Sequence, residues 1–314
     1  MAHVYTTTAE LLKLGDGTIS DIDVSELLED TPLLRVLAAI EASHEVVHKW
    51  LKKTAAPAAG FRAVNAGLEN TVATYAEVTQ DLKLYDASFA IDVGLLKTQS
   101  GGLLKRREAV DHLRTAFVDM EKQIFYGTGA KAAGFAGLAQ EAAVQYKNSA
   151  MVVDAAGTTA NTGSSVWAIR SGESDVAAVY GAGGRIEIGD EYRTVLADSS
   201  GKTYDADRTP ILFWGGLQVA TTLTAARICN LTADGGKGLT DDLIAELLAK
   251  FPSGRGPTHL AMNRRSQMQL QQSRTATNAT GAPAPFPTEA FGVPIVVTDQ
   301  ITSTEALLAN APGD

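Results

Sequence analysis

Cysteine is nearly absent from this chain: Cys229 stands alone among 314 residues. A single thiol excludes an internal disulfide framework and a four-cysteine zinc site. Long hydrophobic runs are missing too. No stretch approaches the roughly 18 apolar residues that a membrane span needs, and Met1-Ala2-His3 opens no charged-then-apolar leader. The sequence therefore reads as neither membrane-spanning nor exported through a signal peptide, and the Asn-x-Thr triplets at Asn230 and Asn278 read as chance matches. Basic charge is in deficit: 27 Lys and Arg face 36 Asp and Glu, for a net charge of −9. That balance excludes a protein that coats nucleic acid through its overall field. An acidic chain can still enclose DNA, with mild repulsion holding the two apart. His3, His112 and His259 are scattered, and no Ser-His-Asp or Cys-His arrangement stands out. Hydrophobic residues make up an ordinary 45%, so the chain folds, and its length exceeds what a single core usually supports. One large or two medium domains are expected.

What the chain does have is one long amphipathic stretch, over residues 100–127. Val110, Leu113, Phe117, Met120 and Ile124 recur in steps of three and four, which lays one continuous stripe along a helix. Lys105, Arg106, Arg107, Asp111, Arg114 and Glu121 fall largely off that stripe. The Ser-Gly-Gly at its start ends whatever precedes it, and Gly127-Thr-Gly129 is where a left-handed cap stops the helix. At 1.5 Å per residue such a helix runs roughly 35 Å, enough to cross a domain.

Residues 1–20 read as a loosely structured arm, followed by short helical turns over 20–34, with Pro32 placed to start one. Strand-like runs come next. Val46, Val47, Trp50 and Leu51, then Phe61, Val64, Val72 and Tyr75, sit among polar residues, with a bend at 55–60 between the first two runs. Val78, Leu82, Leu84, Phe89, Ile91 and Val93 continue in rough alternation. These fifty or so residues hold too few apolar side chains for a core of their own and read as a long hairpin projecting from the body. Beyond the long helix a small-residue loop covers 127–138. From about 150, short strands alternate with turns, at 166–169, 176–180, 186–188, 192–196, 211–214 and 228–231. That all-strand module marks a second subdomain. A helix capped by Thr240 follows at 241–250, then a strand at 258–262 and a helix at 263–273. A mobile loop rich in Ala, Thr, Pro and Gly spans 275–287, and a last strand at 293–297 precedes a polar tail.

His44-Glu45-Val46-Val47-His48 matches H-E-x-x-H. On a helix this spacing sets two imidazoles one turn apart with the glutamate as general base, the arrangement of a zinc peptidase. The context points elsewhere. Leu51 and Thr54 hold the positions where an extended motif needs glycine and a third histidine, so a third ligand would be a distant carboxylate such as Glu69. Trp50-Leu51 and the bend that follows suit a strand entering a hairpin, which takes the imidazoles out of helical geometry. Ser200-Gly201-Lys202-Thr203 resembles the end of a P-loop, but Leu196 stands where its first glycine belongs and strands flank it, so a hairpin turn is expected. Gly181-Ala182-Gly183-Gly184 joins two strands and offers no helix N-terminus to a phosphate. His112 reads as solvated or interfacial. Arg264-Arg265 could meet phosphate or a neighbour's carboxylates, with a solvated face as the default.

Several short segments occur in a telling order: Asp30-Thr-Pro-Leu-Leu34, Phe61-Arg-Ala-Val-Asn65, Val78-Thr-Gln-Asp-Leu-Lys-Leu84 and Phe125-Tyr-Gly127 with Gly134-Phe-Ala-Gly-Leu138. Ser165-Val-Trp-Ala-Ile169 follows, then Met262-Asn-Arg-Arg265 leading to Gly292-Val-Pro-Ile295. With the sequence of parts around them, they resemble the major capsid protein of tailed phages, the Hong Kong 97-like (HK97-like) fold, over nearly the whole chain. The resemblance implies an α+β subunit with an N-terminal arm (1–43) and an extended loop that overlaps a neighbouring subunit (44–99). It further implies a peripheral domain with a spine helix (100–149), an axial domain whose loops meet at five-fold and six-fold centres (150–250), and a return through both (251–314). The implied role is structural, not enzymatic, and needs no cofactor. Copies form pentamers and hexamers that close into an icosahedral head around double-stranded DNA, in a virion assembled in the host cytoplasm. A portal protein, a decoration protein and, because the arm begins almost at Met1, a separate scaffolding protein are the further partners implied. The lysine–asparagine cross-link of some members has no residue-by-residue match, and none is assigned.

Physics agrees with that reading. A hairpin with little core, and an arm of short apolar turns, both gain stability when laid across another subunit, and heterologous contacts between identical chains close into rings. The residues assigned to the subunit interface are Trp50, Phe61, Arg62 and Tyr75 of the projection and Arg106 and Arg114 of the helix. Other roles stay open: an encapsulin-like nanocompartment shell, a zinc metallopeptidase built on His44, Glu45 and His48, and a surface-array protein, which the missing secretion signal disfavours.

Overall fold

The computed structural model describes residues 6–8, 28–67, 71–98, 100–181, 187–276 and 285–312. The arm over 1–5 and 9–27, Glu69, the turn glycines Gly183 and Gly184, and loop residues 277–284 lie outside the described residues. In chain order the elements begin with α1 (Pro32–Val36), β1 (Ala38–Glu41), β2 (Val47–Ala55), β3 (Thr74–Asp81), β4 (Lys83–Asp86), β5 (Phe89–Asp92), α2 (Val93–Leu96) and α3 (Gly101–Tyr126). After two single 3-10 turns come β6 (Val152–Asp154), β7 (Ser164–Ile169), β8 (Val176–Tyr180), β9 (Glu187–Ile188), β10 (Tyr192–Ala197), β11 (Thr203–Thr209), β12 (Ile211–Val219) and β13 (Ala225–Leu231). The chain closes through α4 (Asp241–Ala249), β14 (His259–Met262), α5 (Arg264–Ala276), β15 (Glu289–Ala290) and β16 (Val293–Val297).

The spacing of its apolar residues makes α3 the helix on which the rest is laid. Leu113, Phe117, Met120 and Ile124 are buried and Val110 half-buried, as the stripe predicts. Each full burial is worth about 1.5–3 kcal/mol. The final turns are enclosed on more than one side: Phe125 packs against Trp167, with ring centroids 6.2 Å apart, and Gln123 donates to the Phe135 carbonyl at 2.6 Å. Gly127 ends the helix at φ +55°, where a Cβ would collide with the Gly137 backbone, so the stop needs glycine.

Glu121 departs from the sequence reading. It falls off the apolar stripe yet is fully buried. Its Oε2 accepts from the N–H groups of Leu33 (3.2 Å) and Leu34 (3.4 Å), and Thr298 Oγ1 bonds to Oε1. Thr31 gives α1 no side-chain cap, so α3 supplies the cap from a distance. Burial pushes this carboxyl up to about 7, against the opposite pull of the hydrogen bonds from Thr298, Leu34 and Leu33. The apolar turn at 28–37 was expected to need another subunit; instead Leu28, Leu33, Leu34 and Leu37 are buried in the core of their own chain.

Among the described residues the strands form four sheets. β1, β8, β12 and β4 lie in that order, with β9 also on β12; β1 runs parallel to β8, from Ala38↔Ala177 to Glu41↔Tyr180. β10, β11 and β5 form a second sheet, and β15-β16-β14-β7-β13-β6 a third. The strands of the module read from 150 onward are thus shared among three sheets, and two of those sheets also take strands that precede α3. Among the described residues β2 and β3 pair only with each other and make a two-stranded ribbon. Phe61, Val64 and Val72, read as strand residues, fall in the connection between them, outside any strand.

α4 is capped as its sequence predicts, with the Thr240 hydroxyl accepting from Leu243 N–H at 3.4 Å and Asp241 and Asp242 in the first turn. The polar tail is pinned rather than loose. Gly163 and Glu305 exchange backbone hydrogen bonds of 3.1 and 2.9 Å, and the Glu305 carboxylate reaches Arg227, Ser165 and Tyr126.

Candidate assembly surface

The β2–β3 register sorts the ribbon into two faces. His48↔Gln80, Trp50↔Val78 and Lys52↔Ala76 share one face; Lys49↔Thr79, Leu51↔Glu77 and Lys53↔Tyr75 share the other. The first face is the more covered. His48 is buried, Trp50 half-buried, and Lys52 lies 4.0 Å from Glu141. The second face is open: Leu51 is 69% and Tyr75 59% exposed, beside a Lys49–Glu77 ion pair of 3.2 Å. At about 3.4 Å per residue the ribbon reaches roughly 30 Å from its root.

Its tip is ordered by polar contacts and carries bare apolar side chains. Thr54 and Thr74 hydroxyls meet at 2.9 Å, Ala58 N–H donates to Thr71 Oγ1 at 2.5 Å, and Arg62 donates to the Ala66 carbonyl at 3.0 Å. Phe61 is fully exposed, with Val64 at 92% and Val72 at 85%. Of the six residues assigned to the interface, Trp50, Phe61, Arg62 and Tyr75 are thereby brought onto one ribbon. Arg106 is exposed on the first turns of α3, near the exposed Leu103, and Arg114 lies 3.5 Å from Asp30 of its own chain. Sequence reasoning did not assign Leu51, Val64 or Val72. Alternation with Lys49 and Lys53 was the signal that could have placed Leu51 on the open face.

The remaining motifs have structural duties. Residues 44–48 form a tight turn and the start of β2, not a helix, and both nitrogens of the His48 ring are engaged within the chain. Among the described residues no group of three His, Cys, Asp or Glu is placed to hold a metal ion. Residues 198–203 are the β10–β11 turn, where Asp198 Oδ1 accepts from Ser200 (2.8 Å) and Lys202 (2.9 Å) and Gly201 takes φ +80°. Arg265 is not a solvated cation: it donates to the carbonyls of Thr162 (2.8 Å), Leu231 (3.0 Å) and Ser303 (3.2 Å). His112 lies 3.8 Å from Glu108 and against the Phe89 ring. Among the described residues no helix is long and apolar enough to cross a membrane.

Cys229 is buried in β13, and burial pushes its thiol up to about 12. At pH 8 it should therefore be unreactive toward a thiol reagent until the chain is unfolded, when one equivalent should react at once. Rapid labelling of the folded chain would contradict the packing of β13.

The fold is that of tailed-phage capsid subunits, α+β and HK97-like. A chain in the structure of bacteriophage Epsilon15 is similar at a TM-score of 0.62 and 18% identity, covering 87% of this chain and 88% of that one. The bacteriophage JBD30 capsid is similar at a TM-score of 0.51 and 8% identity, covering 95% and 99%. The SrpI encapsulin of Synechococcus elongatus aligns at a TM-score of 0.46 and 10% identity, covering 71% and 94%. No curated protein matches the chain. A family model, major capsid protein GP7, matches residues 15–309, and the chain belongs to that family. It is a structural capsid protein of the virion, and copies of itself are what it assembles with.

Proposed function

We propose that copies of this chain form pentamers and hexamers that close into an icosahedral head around double-stranded DNA. The observation that carries this reading is the ribbon. Two strands and their connection, with no core of their own, hold Leu51, Phe61, Val64, Val72 and Tyr75 in water, a surface that a lone subunit has no use for. The ribbon and its tip lie on a neighbouring subunit, with Tyr75 of the open face, Phe61 and Arg62 of the tip and Trp50 at the margin of the covered face as contacts, and the arginines of α3, Arg106 and Arg114, form the second contact zone. The division into arm, extended loop, peripheral domain and axial domain belongs to the same proposal. So do a portal, a separate scaffolding protein and a decoration protein as partners, assembly in the host cytoplasm, and the absence of any catalytic duty or cofactor. A net charge of −9 suits a wall that contains DNA without gripping it.

Phe61→Ala with Arg62→Ala should leave a folded subunit and raise the concentration needed for shell formation at least tenfold, the equivalent of about 1.4 kcal/mol per contact. Sedimentation of assembled against free protein measures it. Unchanged shell yield would remove the tip from the interface. Nucleic acid mass per purified particle separates a genome-filled head from an encapsulin-like compartment, which would carry protein cargo instead.

A further inference from the structure

The H-E-x-x-H match does a job that no catalytic reading uses. Ser43 N–H donates to His48 Nδ1 at 3.1 Å, and His48 Nε2 lies 2.7 Å from Gln218 Oε1. A backbone N–H can only donate, so Nδ1 must present its lone pair and the ring proton must sit on Nε2. The Gln218 amide is oriented in turn by its Nε2, which donates to the Glu173 carbonyl at 2.7 Å. A relay of hydrogen bonds thus runs from the turn before β2, through the imidazole, to β12 and the loop at Glu173. The ring is only 7% exposed and stacks on Trp50 at 5.4 Å.

The turn that the ring holds is closely seated. His44 and Val47 exchange backbone hydrogen bonds of 3.0 and 3.4 Å, and Lys49 N–H donates to Ser43 Oγ at 2.8 Å. The Glu45 carbonyl rests on Gly181, where a Cβ would come within 2.5 Å of it. The β2 side of the ribbon is therefore joined to the body through a small seat centred on His48, while β3 runs on through the buried Leu82 into β4, which pairs with β12.

We propose that His48 is an acid-operated hinge pin: a proton on Nδ1 sets two N–H groups against each other at Ser43 and frees the root of the ribbon from the body. Both groups that hydrogen-bond to the ring, Ser43 N–H and the Gln218 amide, are uncharged, so no carboxylate is bonded to the ring to offset the new charge. The titratable groups on the elements packed around it are His44 and Glu45 in the turn, Lys49 on β2, Asp81 at the end of β3 and Tyr180 on β8. In the loop beside Gln218 they are Glu173, which contributes its backbone carbonyl, and Asp175, paired with Arg170 at 2.9 Å. Histidine is the side-chain type best suited to a proton-driven switch. Freed at its root, the ribbon can re-aim the whole open face at once.

Hydrogen exchange on the full chain tests this, corrected for the intrinsic pH dependence of exchange. Between pH 8 and pH 5, protection at Ser43 and over residues 47–50 should fall at least tenfold along a one-proton curve. It should stay flat in His48→Asn, whose amide oxygen can still accept from Ser43 N–H. Protection that ignores pH, or falls equally in His48→Asn, overturns the proposal. Should that variant not fold, nitrogen-15 spectra of the wild-type imidazole decide: a bare Nδ1 and a protonated Nε2 at pH 8 are required, and the opposite tautomer overturns the hinge. Glu121, pushed up to about 7, reports at Leu33 and Leu34, so its titration is separable from a change at Ser43 and residues 47–50. Because the readout belongs to the subunit itself, a negative result leaves the assembly role untouched.

Discussion

Glu305→Ala is expected to destabilise the folded chain by about 3–5 kcal/mol, the usual cost of stripping one partner from a buried ion pair. Arg227 and Glu305 are both more than nine-tenths buried, 2.8 Å apart. Every strong group near them is spoken for. Arg227 Nε donates to Ser165 Oγ at 2.8 Å, Ser165 Oγ donates to Glu305 Oε2 at 2.5 Å, and Tyr126 O–H donates to Oε1 at 2.6 Å. The guanidinium lies 4.9 Å from the centre of the Trp167 ring. Removing the carboxylate takes from the core guanidinium its 2.8 Å counter-charge and from the Tyr126 phenol its 2.6 Å acceptor. Denaturant unfolding of the variant measures the loss, and a change under about 1 kcal/mol would mean that water reaches the pair. Arg227→Met combined with Glu305→Met should be less harmful than the sum of the two singles, since the double variant buries no unpaired charge.

The second large effect concerns pH. The folded chain holds the Glu121 proton more tightly than the unfolded chain does, because the buried carboxyl is pushed up from 4.5 to about 7. Stability from this group is therefore complete below pH 4.5 and is lost as pH rises through 7, by about 3 kcal/mol in all. Glu121→Gln keeps an oxygen for Leu33 and Leu34 N–H and a donor for Thr298, and it has nothing to ionise. It should match the wild type at pH 4.5 and exceed it by about 3 kcal/mol at pH 8. Unfolding curves at the two values check this. A variant that tracks the wild type at both would show that Glu121 is not the titrating group.

Local periodicity made the central helix legible. Leu113, Phe117, Met120 and Ile124 need only one another's spacing to declare a buried face. The short strands β7, β8 and β13 were equally plain, as runs of Val, Ala, Ile and Trp between turn residues. Sheet membership was not, since β1 pairs with β8 across well over a hundred residues and no local pattern encodes a distant partner. Glu121 was misplaced for the same reason: its acceptor duty lies 88 residues away at Leu33 and 177 away at Thr298. Phe61 and Val64 read as strand because their side chains favour strands, but Pro57 and Gly60 before them, and Asn65 at φ +66°, shape a connection instead. The assembly surface was half visible. Ribbon alternation could be read, whereas which of its faces stays bare depends on β12 and Glu141, far along the chain.

The lock between Gly163, Arg227 and Glu305 sets a timetable for synthesis. The seat beneath the ribbon cannot close until Gln218 of β12 has left the ribosome, roughly 7–27 s after the end of β3 at ordinary elongation rates, and the Glu305 ion pair closes later still. Through that interval the nascent polypeptide displays its apolar ribbon with no rigid base to aim it. Neighbouring translation products on one messenger meet with their apolar tips bare, and each copy can aim its ribbon only once its own seat has closed.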